Sequence, residues 1–148
     1  PLEPGAPMGA MVDESQTARV LDYIEKGVAE GANLVLGGKR ANVVQGGCYI
    51  EPTVFDDVAH EHTISREEIF GPVLSVIAFD NEEQALRMAN DTEYGLAAGL
   101  WTSDISRAHR VARKLRAAAR GLFTAGSRFS CAAASSNGAP ALPSLMPR

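Results

Sequence analysis

The sequence has few of the residues that build disulfide frameworks, cysteine metal sites or membrane spans. It contains two cysteines among 148 residues, Cys48 and Cys131, with no Cys-x-x-Cys pair, which argues against a disulfide scaffold and a zinc site. No apolar run approaches the roughly 20 residues that cross a bilayer, and the first residues have neither the charged nor the apolar region of a signal peptide. These absences predict a cytoplasmic protein without metal or membrane partners.

Charge is unevenly distributed along the chain. Residues 1–100 carry 6 basic and 17 acidic side chains, whereas residues 101–148 carry 8 basic and 1 acidic. A basic tail can indicate nucleic-acid binding. Here, however, the basic residues of 107–116 recur at helical spacing, and no aromatic residues lie between them to stack on bases. We interpret them as the solvated face of a helix and predict no nucleic-acid partner.

Periodicity predicts an α/β domain. A helix is expected after an N-cap at Asp13, and a short strand at 33–36. From residue 73 the pattern alternates regularly, with strands at 73–79 and 97–101 and helices at about 81–90 and 105–118. The expected apolar face of the first helix consists of Ala18, Leu21, Ile24 and Val28. The fold class that follows is a largely parallel sheet with flanking helices.

The composition changes beyond Arg120. Of the last 28 residues, 17 are Ala, Ser, Pro or Gly, and none is acidic. Such a segment buries too little apolar surface to offset its ordering entropy. We therefore predict two parts, a domain over 1–120 and a mostly disordered tail over 121–148.

The most informative motif is Glu-Glu-Ile-Phe-Gly-Pro-Val at 67–73, which places two carboxylates and an aromatic ring on a turn before an apolar strand. Together with Glu-Pro-Thr-Val-Phe at 51–55 and Asn-Asp-Thr-Glu-Tyr-Gly-Leu at 90–96, it resembles the aldehyde dehydrogenase superfamily. The resemblance covers residues 8–117 and implies the C-terminal part of the catalytic domain only. It implies NAD- or NADP-dependent oxidation of an aldehyde to a carboxylic acid, as in enzymes acting on γ-glutamyl-γ-aminobutyraldehyde.

The same resemblance assigns cofactor contacts to five residues. Glu68 would accept hydrogen bonds from the nicotinamide-ribose hydroxyls, a task that suits an acceptor-only carboxylate, and Phe70 would form an apolar wall near the nicotinamide. Gln16 and Arg19 align with positions that contact the other ribose, and Leu96 with one near the nicotinamide. From the residues alone, a solvated turn, a packed Phe, an exposed helix face and a buried Leu are the competing interpretations.

No catalytic residue is expected within these residues. In the family the nucleophilic Cys and the general-base Glu lie upstream of the matching region, so this chain alone is expected to be inactive. A complete enzyme would be a homo-oligomer that acts on a small aldehyde. The alternative is a non-catalytic α/β module that binds a nucleotide or a partner subunit.

Three local features have simpler interpretations. Cys48 has no histidine or helix N-terminus near it to lower its thiol pKa, which predicts an inert thiol. His60 and His62 are two residues apart and have no third ligand nearby, which predicts a solvated loop rather than a metal site. The abrupt end of the resemblance after Ala117 predicts a shift of reading frame at that point.

Overall fold

A computed structural model describes residues 8–123, 130–134 and 143–147 of the chain. Helices and strands alternate through most of it, and no helix in these ranges is long and apolar enough to cross a membrane. The helices are α1 (Glu14–Ala29), α2 (Thr63–Arg66), α3 (Glu82–Asn90) and α4 (Ile105–Lys114). The strands are β1 (Asn33–Leu36), β2 (Thr53–Asp56), β3 (Val73–Phe79), β4 (Ala97–Trp101), β5 (Ala119–Phe123), β6 (Ser130–Ala134) and β7 (Pro143–Pro147).

The described strands form one sheet in the order β1-β2-β3-β7-β6-β4-β5. Strands β2, β3, β7, β4 and β5 run in the same direction, and β1 and β6 oppose them. The α/β fold with flanking helices is therefore confirmed. Strands β3 and β4 of the βαβ unit are not direct neighbours, because β7 and β6 lie between them.

Helix α1 begins as the sequence predicts but buries a different face. The Asp13 carboxylate accepts a 2.7 Å hydrogen bond from the backbone N–H of Gln16, which satisfies a donor that the first turn leaves unpaired. Ala18 and Val28 of the expected apolar face are exposed, and Leu21 is only partly buried. Of the predicted face only Ile24 is buried, because α1 packs against the loop at 67–71 as well as against Phe55 and Ile64. Its buried residues are Thr17, Val20, Tyr23, Ile24 and Gly27.

The core lies between β2, β3 and the helices α1 and α2. Burial alternates along β3, as expected for a strand with one face against the core. Phe55 on β2 is fully buried, and a Cβ placed on Gly27 would come within 3.3 Å of its ring and 2.8 Å of Ile64 on α2. Helix α1 therefore approaches the sheet so closely that position 27 has no space for a side chain. The Ser75 hydroxyl donates to the Ile64 carbonyl at 3.1 Å and ties β3 to α2.

At the end of the chain one expectation needs correction and another stays a prediction. Helix α4 ends at Lys114 rather than 118, because the backbone N–H groups of Ala118 and Ala119 donate to the carbonyls of Gly95 and Leu96 and start β5. Within the tail predicted as mostly disordered, the described residues form the end of β5 together with β6 and β7, and the division into a domain over 1–120 and a disordered tail stays a prediction. Strand pairing uses backbone groups that every residue but proline has, so small side chains do not prevent it. The other tail residues lie outside the described ranges.

Candidate functional site

The motif at 67–71 forms the loop that joins α2 to β3. Phe70 has φ of +56°, a left-handed conformation that is rare for a bulky residue and costs about 1–3 kcal/mol. The next residue, Gly71, lies directly on α1, where an added Cβ would be 2.6 Å from a methyl group of Val20. The loop is therefore both strained and pressed against the helix. Strain of this kind is concentrated at functional sites.

Glu68 is half-buried, and its Oε1 atom is fully buried without a hydrogen-bond partner among the described residues. A buried polar atom without a partner costs about 1–3 kcal/mol, more if it is charged, so native structures rarely keep one without a reason. The neighbouring Glu67 is in the opposite situation, since its Oε2 accepts a 2.7 Å hydrogen bond from the Tyr23 hydroxyl. Of the two carboxylates, Glu68 is the one with a buried oxygen that lacks a partner among the described residues.

Gln16 reaches the same loop from the first turn of α1. Its side-chain Nε2 donates to the carbonyls of Ile69 and Phe70 at 3.2 and 3.1 Å. The amide therefore binds the protein's own backbone. Contact between Gln16 and a ribose stays a prediction.

Arg19 lies on the exposed side of α1, with its guanidinium 5.6 Å from the centre of the Tyr23 ring. A hydrogen bond to Tyr23 raises the pKa of Arg19 above its usual range, and the negative charges of Glu67 and Glu68 add to this. Arg19 therefore stays protonated and provides a positive charge beside the two carboxylates. An exposed cation in this position is available to an anionic ligand, but the geometry assigns it none.

A cleft of about 570 Å³ opens beside the loop. Phe70, Gly71 and Pro72 form one wall, and residues 8–12 form the other, with Gln16 and Ile50 completing the lining. Most of these groups are apolar. The left-handed turn at Phe70 thus places an aromatic residue on the wall of an apolar cleft, as a site for a flat ring would require.

Leu96 is not brought to this cleft. It precedes β4 and is 43% exposed, and its carbonyl accepts the N–H of Ala119 at 2.9 Å. Phe70 precedes β3, three strand positions away in the sheet. At about 4.8 Å per position, that separation is about 14 Å. The cleft thus brings Gln16 and Phe70 together, Glu68 lies on the same loop as Phe70 but outside the lining, and Leu96 lies apart.

The described residues contain no group of three or more His, Cys, Asp or Glu side chains that could hold a metal ion. His62 Nδ1 accepts the backbone N–H of Ala59 at 3.2 Å, and His60 Nε2 lies 2.8 Å from Asp91 Oδ2. The Cys48 thiol lies 3.9 Å from a carboxylate oxygen of Glu14. Each of these three side chains has a protein contact, and the Nδ1 atom of His60 is buried without a hydrogen-bond partner among the described residues.

Sequence reasoning missed the residues of α1 that support the loop. Val20 and Tyr23 lie four and seven positions after Gln16, and that spacing places all three on one helical face. The periodic pattern was assigned to a purely apolar face instead. A stripe of mixed polarity at this spacing was the available signal.

Comparison with known proteins gives one consistent result. A sequence model described as the Aldehyde dehydrogenase family matches residues 1–127, and so extends past residue 117, where the motif resemblance ends. The chain is 53% identical over 118 residues to a betaine aldehyde dehydrogenase of Rhizobium leguminosarum bv. trifolii and 51% identical over 117 residues to one of Cereibacter sphaeroides. In each case the match covers 79% of this chain and 24% of the relative. The chain thus spans about a quarter of the length of these relatives.

Solved structures agree with this result. An indole-3-acetaldehyde dehydrogenase in complex with NAD+ is 49% identical, with a TM-score of 0.79 over 84% of this chain and 25% of that one. An aldehyde dehydrogenase of Mycobacterium tuberculosis, also in complex with NAD+, is 43% identical, with a TM-score of 0.80 over 93% of this chain and 29% of that one.

Proposed function

The chain belongs to the aldehyde dehydrogenase family, and we propose that it forms the part of an NAD-dependent aldehyde dehydrogenase that binds the nicotinamide-ribose end of the cofactor. The observation that carries the proposal is the buried Oε1 atom of Glu68, which has no hydrogen-bond partner among the described residues. It lies on a loop that is fixed by contacts to α1. A hydrogen bond donated to this oxygen by a bound ligand, on exposure of the side chain, would remove the cost of leaving it unpaired.

The chemistry of the loop fits a ribose and an aromatic ring. An ionised carboxylate only accepts hydrogen bonds, and ribose hydroxyls are donors, so Glu68 would hold the ribose through charge-assisted bonds. Phe70 on the cleft wall would pack against the apolar part of the nicotinamide. When bound, NAD supplies the electron acceptor for aldehyde oxidation. The residues of this chain bind and orient the cofactor, and we propose that they do not oxidise an aldehyde on their own.

We favour NAD over NADP because two of the most similar solved structures are complexes with NAD+. For the substrate we propose a nitrogen-containing aldehyde. Betaine aldehyde is supported by the names of the relatives, and γ-glutamyl-γ-aminobutyraldehyde by the motifs. We also propose a homo-oligomeric, cytoplasmic complete enzyme.

The test uses a chimera, in which residues 8–117 replace the corresponding segment of the Rhizobium betaine aldehyde dehydrogenase. We expect Glu68→Gln to raise the NAD+ KM or lower kcat by about tenfold or more, since hydrogen bonds to a charged group contribute about 1.5–3 kcal/mol. Glu61→Gln, at an exposed carboxylate of the preceding loop, is the matched control. Equal kinetic constants for the two variants, at unchanged melting temperature, would contradict the proposal and favour a non-catalytic binding module.

A further inference from the structure

The left-handed conformation of Phe70 needs a source of stabilisation. A bulky residue at φ of +56° is unfavourable by itself, and it persists only where the surroundings enforce it. Among the described residues, one side chain makes two hydrogen bonds to the backbone of this loop. It is the side chain of Gln16, which comes from a helix more than 50 positions earlier in the chain.

The Gln16 amide is well suited to this task. Its Nε2 atom carries two protons, and the two hydrogen bonds to the Ile69 and Phe70 carbonyls, at 3.2 and 3.1 Å, account for both. Two adjacent carbonyls held by one nitrogen fix the orientation of the two peptide units that flank the Phe70 Cα. The φ angle of Phe70 is the torsion about the bond between its amide nitrogen and its Cα. The two Gln16 hydrogen bonds, which we call the clamp, therefore restrain the strained torsion itself.

Other contacts of α1 hold the rest of the loop in place beside this clamp. The Tyr23 hydroxyl donates to Glu67 at 2.7 Å, and the fully buried Val20 packs against Gly71. Ile69 is 1% exposed and anchors the middle of the loop in the core. The loop is thus supported on one helical face at both ends and at its centre.

We propose that Gln16 is a positioning residue, which holds Phe70 in its left-handed conformation and thereby sets the directions of the Phe70 ring and the Glu68 carboxylate. This differs from the direct ribose contact that the family resemblance implies for Gln16. The expected effect of Gln16 on cofactor binding rests on the proposed function. The expected effect on the conformation of the loop does not.

Amide hydrogen exchange in the 148-residue chain, without cofactor, tests the clamp. We expect Gln16→Met, which keeps the length but removes both donors, to accelerate exchange by about tenfold at Val73, whose N–H donates to the Gly71 carbonyl at 2.8 Å. Gln16→Glu has no donor and places a carboxylate against two carbonyls, so we expect at least the same effect. Ser15→Met, at the exposed neighbouring position, is the control for the new side chain. Unchanged exchange in Gln16→Met would overturn the proposal.

Glycine at position 70 should remove the need for the clamp. Glycine adopts positive φ without steric cost, so in a Phe70→Gly background the Gln16→Met substitution should change loop exchange by less than about twofold. An equally large effect in both backgrounds would mean that Gln16 stabilises something other than the Phe70 conformation. The carbon-13 shifts of Phe70 supply an independent readout, since they should leave the left-handed range in Gln16→Met and remain there in Ser15→Met.

The chimeric enzyme separates this proposal from the proposed function. If Gln16 instead binds the ribose directly, Gln16→Met should weaken NAD+ binding and leave the loop unchanged. That result would overturn the positioning role. A loosened loop with weaker NAD+ binding supports both proposals. A loosened loop with unchanged NAD+ affinity supports the clamp and contradicts the cofactor role of the loop.

Discussion

Tyr23 and Glu67 are joined by a 2.7 Å hydrogen bond between a helix and a loop that are 44 residues apart in sequence. Tyr23 is 7% exposed, so its hydroxyl would otherwise be a poorly hydrated donor. The bond fixes the first carboxylate of the pair, and Glu68 takes no part in it. The two adjacent glutamates thus differ in their contacts, since Glu67 is bonded to α1 and Glu68 Oε1 is buried without a hydrogen-bond partner among the described residues.

Removal of this hydrogen bond should weaken the attachment of the loop. We expect Tyr23→Phe to lower the free energy of unfolding by about 1 kcal/mol, measured by urea denaturation of the chain. A double-mutant cycle with Glu67→Ala should give a coupling energy of similar size. A coupling energy below about 0.3 kcal/mol would show that the two residues act independently.

The contact between Gly71 and Val20 makes a second prediction. A Cβ at position 71 would lie 2.6 and 2.7 Å from the two methyl groups of the fully buried Val20. We expect Gly71→Ala to lower the free energy of unfolding by about 1–3 kcal/mol through overpacking. Val20→Ala should recover part of this loss when combined with it, although it costs stability alone. If the stability losses of the two single variants simply add in the double variant, the new methyl group at position 71 does not clash with Val20.

The ion pair between α3 and α4 predicts a pH dependence. Arg110 donates from Nε and Nη2 to the two carboxylate oxygens of Glu82 at 2.8 and 2.7 Å, and this contact lowers the pKa of Glu82. A pKa that is lower in the folded state stabilises the fold above the unfolded-state pKa of about 4.3. The contribution disappears as the pH falls through the lower folded-state pKa.

We therefore expect Arg110→Gln to lower the free energy of unfolding by about 1 kcal/mol or less near neutral pH, because both partners are partly exposed. The difference from the unmodified chain should shrink as the pH is lowered below about 4.3. Arg113→Gln, at an exposed position of the same helix, is the control. A loss for Arg110→Gln that stayed constant from pH 7 to pH 3 would exclude ionisation of Glu82 as its cause.

Features that depend on neighbouring residues could be predicted from the sequence. The bounds of β1, β3 and β4 agree with those that the sequence predicts, and Asn81 caps α3 through the N–H of Gln84 as expected. Each of these relations spans only a few residues, so local propensity decides them.

Features that depend on distant contacts could not be predicted. The buried face of α1 follows from the loop that packs on it, and nothing near Val20 in sequence indicates a glycine 51 positions later. The separation of β3 from β4 depends on strands from the end of the chain. Glu68 was identified by family resemblance, but its buried oxygen without a partner became visible only in three dimensions.

The most direct test of the central claim is the crystal structure of the chimeric enzyme with NAD+ bound. We expect the Glu68 carboxylate to accept hydrogen bonds of about 2.5–3.0 Å from the nicotinamide-ribose hydroxyls, while the Gln16 amide remains on the carbonyls of Ile69 and Phe70. A ribose held by Gln16, with Glu68 turned to solvent and Phe70 in an ordinary right-handed or extended conformation, would contradict the account.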